Sequence, residues 1–136
     1  MILLDIATYL ASITNKQLGV NVFSEAIPPN PDLVIVVREP RDGGYVHPQL
    51  ECDVRKIQIV VRDRVASNAL NIAEQCHKAL VYQGADMNKA ADGLIQFTPE
   101  TFGSVELQGN PRYDEIDDKG RRQYKFNANI ITQRKY

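Results

Sequence analysis

Apolar residues near the N-terminus recur every three to four positions. Ile2, Leu3, Ile6, Ala7, Leu10 and Ile13 form one stripe, with Asp5, Thr8 and Ser12 off it. That period predicts an amphipathic helix, with Asn15 and Gly19 as its stop signals and a short extended piece at Val20, Val22 and Phe23 beyond them. Pro28, Pro29 and Pro31 forbid a helix and impose an extended loop. The run Leu33, Val34, Ile35, Val36, Val37 is short, continuous and β-branched, which predicts a strand covered on both faces. Residues 39–53 contain Pro40, Asp42, Gly43, Gly44 and Pro48 and read as a long loop or splayed hairpin tip, a length that is uncommon and often functional. A second strand over 54–61 suits antiparallel pairing with the first.

The helical period then returns. Asp63 is placed to cap a second helix, whose buried stripe would be Ala66, Ala69, Ile72, Ala73, Cys76 and Leu80, with Gly84 at its exit. Those side chains are small, so the helix can approach a sheet closely. The last third reads as strands: 94–97 before a break at Pro99, then Val105 and Leu107 before Asn110 and Pro111. After a turn at 117–120, Tyr124, Phe126, Ala128 and Ile130 alternate with polar residues. The order helix, strand pair, helix, strands predicts an α+β fold: a mainly antiparallel sheet with two principal helices packed on one face, as a single domain over 1–136.

The chain has 136 residues, a formal net charge of −1 and 24% charged residues. This balance gives no basic footprint for gripping nucleic acid, and the apolar content excludes low-hydropathy disorder. No apolar run is long enough to span a bilayer, so no membrane association is expected. The N-terminal segment carries Asp5 within its apolar part and is not expected to be a secretory signal. Two cysteines, Cys52 and Cys76, do not make a disulfide framework or a metal knuckle.

Signatures of catalysis are missing from the sequence: there is no phosphate-cradling glycine loop and no nucleophile elbow. The expectation is a protein that is not an enzyme and holds no cofactor or metal. His47 and His77 fall on different elements and read as structural rather than catalytic. The carboxylates Asp114, Glu115, Asp117 and Asp118 lack the alternating pattern of a calcium loop, so a solvated hairpin end is favoured over a cation site. The bases Lys119, Arg121, Arg122, Lys125, Arg134 and Lys135 follow directly. An acidic patch beside a basic one is a solvated face on a monomer. In a ring, the two can meet between neighbours and set register.

Three segments together carry a family resemblance: FSEAIPPNPDLVIVV at 23–37, IQIVVR at 57–62 followed by an alanine-rich helix ending at Leu80, and DKGRRQYKFN at 118–127. In this order the chain resembles the tail terminator or minor capsid (head–tail joining) proteins of long-tailed bacteriophages. The resemblance implies a structural protein of the virion neck, assembled in the host bacterial cytoplasm. It also implies a homo-oligomeric ring, a hexamer, that caps the tail tube protein, stops tube polymerisation and meets the head completion or connector protein. DNA would pass through the channel without specific binding. The residues expected at subunit or partner interfaces are Arg41, Tyr45, His47, Asp117, Asp118, Arg121, Arg122 and Lys125. Alternatives are a head completion or tail-tube-related protein, a small-molecule-binding regulatory domain with 39–53 as a lid, or an enzyme built on His47, Asp42 and Glu51.

Overall fold

The computed structural model describes residues 2–40, 45–47, 52–81, 95–98 and 101–133. Helix α1 spans Ile2–Thr14 and α2 spans Ala66–Val81. The strands are β1 (Val22–Ser24), β2 (Val34–Arg38), β3 (Tyr45–His47), β4 (Cys52–Asp63), β5 (Ile95–Thr98), β6 (Thr101–Leu107), β7 (Arg112–Ile116) and β8 (Arg122–Gln133). Their order is β1-β2-β4-β8-β6-β5, with β3 beside β4 and β7 beside β8. Every pairing is antiparallel except β1 with β2. The fold is α+β, as the element order predicts.

The centre is the long β4–β8 pair, in register from Cys52 beside Gln133 to Asp63 beside Arg122. Pleating sends alternate residues to opposite faces. Ile35 and Val37 of β2, Ile57, Ile59 and Val61 of β4, and Phe126, Ala128 and Ile130 of β8 share one face, and both helices pack on it. Helix α1 supplies Leu3, Ile6, Ala7, Tyr9 and Leu10 to this core, and α2 supplies Ala69, Ile72, Ala73, Cys76 and Leu80. Tyr9, outside the predicted stripe, is buried because α1 also meets α2, where its hydroxyl donates to the Ala79 carbonyl at 3.3 Å.

Residues Val34, Val36 and Val60 form a smaller core on the opposite face, covered by Phe23 and Ile27. The β-branched run is thus buried on both sides, one cover being helical and the other the strand and loop before it. Beyond that cover the second face turns polar. Arg38 Nε donates to Gln58 Oε1 at 2.9 Å, and Gln58 Nε2 donates to Asn127 Oδ1 at 3.1 Å, a ladder across β2, β4 and β8.

Helix α1 stops where Asn15 takes a left-handed φ of 56°. The Lys16 amide then bonds the Ala11 carbonyl at 2.9 Å and the Asn15 amide bonds that of Ser12 at 3.3 Å, satisfying the last-turn acceptors. At α2 the expected cap is corrected. Asp63 is the last residue of β4, and its carboxylate accepts from the Arg64 amide at 2.8 Å and the Asn68 side chain at 2.6 Å, not from the first-turn amides of the helix. The first helical turn is closed by the Ala69 amide on the Val65 carbonyl. Two strands also fall where no strand is expected: β3 within 39–53, and β7 within the acidic run. Gly84 and Pro99 lie outside the described residues.

Candidate interaction surface

At one end of the sheet, β8 enters through a tight turn whose shape follows from two residues. Gly120 adopts φ 75°, which side chains other than glycine's rarely tolerate. Asp117 does the rest: its Oδ1 accepts from the Lys119 amide at 3.0 Å and the Arg121 amide at 2.9 Å, and its Oδ2 accepts from Arg121 Nε at 2.8 Å. Burial by itself would raise the Asp117 pKa. The hydrogen bonds from Arg121 and Lys119, together with the Arg121 charge, outweigh it and hold the carboxyl below its ordinary value.

Arg121 is expected on an exposed turn, but it is only 4% exposed. Its guanidinium reaches back across the sequence to the Pro29 carbonyl and lies 3.6 Å from Asp32. Arg62, 3% exposed, donates to the Pro31 carbonyl at 2.7 Å and the Asp32 carbonyl at 3.3 Å. Two arginines from neighbouring strands therefore hold the proline loop against the sheet. Burial and the adjacent Arg121 charge lower the Arg62 pKa, and Asp117 and Asp32 oppose the shift. Both guanidiniums stay charged, and the loop's carbonyls and carboxylates compensate them.

Part of the expected charge segregation is thereby used up within the chain. Asp117 pairs with Arg121, and Asp114 pairs with Lys125 at 2.8 Å. Of the eight expected interface residues, Asp118 and Arg122 are exposed, Asp117 and Lys125 are half-buried in ion pairs, and Arg121 is buried. Tyr45 and His47 lie on β3, whose register places them beside Val54 and Cys52. That is the far end of β4 from Asp63 and the turn, roughly 30 Å along the strand at 3.3 Å per residue. Arg41 lies outside the described residues, as do Asp42, Glu51, Arg134 and Lys135.

Among the described residues no group of three or more His, Cys, Asp or Glu side chains is placed to hold a metal. No described helix is long and apolar enough to cross a membrane. His77 is engaged: its Nε2 lies 3.0 Å from the Gly109 carbonyl and its ring meets Phe126 edge-on, with centroids 5.1 Å apart. Burial pushes the Cys76 thiol up to about 12, so it packs as a neutral group with no nucleophilic character.

The surface that the sequence reading missed is β7. All of its residues are exposed except half-buried Asp114, and Tyr113 and Ile116 are among the most exposed large apolar residues. A register shift between Tyr113 and Glu115 breaks the alternation. That irregularity, together with the density of charge, hides the strand from a period-two reading. The available signal was two large apolar residues within an otherwise polar run.

No protein-family model matches the chain, and no curated protein matches it. Among solved structures it is similar to a chain described as "Virion of native gene transfer agent (GTA) particle", with a TM-score of 0.57 and 14% sequence identity, over 96% of this chain and 94% of that one. At that identity the likeness is one of fold.

Proposed function

We propose that this protein is a structural component of a phage-like virion, and within it a subunit of the neck ring that caps the tail tube and meets the head connector. The observation that carries the proposal is the likeness of fold, nearly end to end in both chains, to a chain of a gene transfer agent virion. The three sequence segments that resemble tail terminators narrow it to the neck. Two features support that narrowing. The sheet leaves a strand edge open, as a subunit that joins neighbours requires. The net charge of −1 suits a conduit through which DNA slides, since each phosphate contact would add affinity by releasing counterions.

In this reading the protein acts by shape and catalyses no reaction. One face of the ring matches the end of the tube, and the other offers no second tube-like face, so polymerisation ends there. The test is particle assembly with the gene disrupted. Tails of uncontrolled length that fail to join heads, restored by the wild-type chain in trans, are the expected result. Normal, joined particles in its absence overturn the reading.

A further inference from the structure

The register runs one row of residues across the sheet from edge to edge: Val22, Ile35, Val61, Tyr124 and Tyr113 lie side by side on β1, β2, β4, β8 and β7. The two ends of that row differ. Among the described residues no strand pairs with the outer side of β7, so backbone groups there stand ready for a partner. At the β1 end the chain closes its own edge, because Leu18 bridges Val22 and the Gly19 amide donates to the Val22 carbonyl at 2.8 Å.

Both ends are nevertheless apolar. Tyr113 and Ile116 on β7 are 51% and 49% exposed, and Leu18 and Val20 at the β1 corner are 40% and 48% exposed. With Leu4 and Val65 these make up the exposed large hydrophobics of the described residues, so four of the six sit at the two edges of one sheet. The charges differ in sign. Residues 15–24 contain Lys16 and no carboxylate, whereas β7 and its turn present exposed Glu115 and Asp118.

We propose that the β7 edge of one copy seats against the Leu18–Val20 corner of a second copy of this chain. Tyr113 and Ile116 cover Leu18 and Val20 at the centre of the contact, and Glu115 and Asp118 lie toward Lys16 at its rim. The inference deepens the neck-ring reading and rests on it for the closed number of copies. The contact joins two different patches, so it is heterologous: every copy has one of each, and repetition closes a ring or runs on as a filament. A symmetric β7-to-β7 contact would set Glu115 and Asp118 of both copies near each other and leave Leu18 and Val20 bare.

Sedimentation velocity on the full chain tests this with two double variants, one carrying Tyr113→Lys and Ile116→Lys, the other Leu18→Lys and Val20→Lys. The wild type is expected to assemble beyond a dimer as concentration rises, and each variant alone to remain a monomer with an unchanged melting temperature. Mixed in equal amounts, the two variants should stop at a one-to-one pair, because only one intact edge of each kind remains. If a double variant melts early, Ile116→Lys and Val20→Lys singly replace it.

A wild type that stays monomeric to millimolar concentration overturns the contact. So does a corner variant that still dimerises on its own, or a mixture that yields no pair. The two readings fail separately. If edge contacts behave as expected but particles assemble normally without the gene, the neck assignment falls and the interface stands. If particles need the chain but assembly survives both double variants, the reverse holds.

Discussion

Arg121 and Arg122 are adjacent in the chain, yet β8 sends them to opposite faces. Arg121 is buried against Asp117 and the Pro29 carbonyl, and Arg122 is exposed. Removing the buried guanidinium leaves a carboxylate and loop carbonyls without their donor, so Arg121→Ala should cost about 2–4 kcal/mol in urea unfolding. Arg122→Ala should stay within about 0.5 kcal/mol of wild type. Equal effects from the two would contradict the clamp. Asp117 adds a pH dependence. Its native pKa lies below the unfolded one, so its contribution is complete above the unfolded value and is lost as the pH falls through the native value. The stability gap between wild type and Asp117→Asn should therefore be widest near neutrality and shrink in acid. A gap that is constant from pH 7 to strong acid would remove Asp117 from the account. The turn itself was legible in the order Asp, Asp, Lys, Gly. The burial of Arg121 was not, because its partners are residues 29 and 32, far away in sequence.

At the scale of elements, α2 shows what a hydrophobic period can and cannot tell. Ala69 and Ala73 are fully buried between the helix and the sheet, as the small-residue stripe implies. Enlarging either to Leu should overpack that contact by about 1–3 kcal/mol and lower the melting temperature. An unchanged melting temperature for both variants would mean that the helix stands further from the sheet. Its start was misread because Asp63 is a good capping residue by type, but β4 runs through it to pair with Arg122. Pairing with β8 outcompeted the local cap. The same competition explains β7, whose charged residues favour a turn locally but lie along β8 in the fold.

For the whole molecule, the near-neutral charge of a conduit has a direct consequence. The protein should show no measurable affinity for duplex DNA by fluorescence anisotropy at physiological salt. Binding as tight as the micromolar end of ordinary non-specific interaction, ~10⁻⁶ M, would contradict the conduit reading. Periodicity, prolines and turn residues determined both helices, the central strands and the α+β class, because each signal acts within a few residues of its cause. Tertiary structure alone decided which arginine is buried, which acidic run becomes a strand and which two apolar pairs stand at opposite edges of one sheet. Those outcomes depend on the register between segments dozens of residues apart, and no local pattern in a single chain encodes that register.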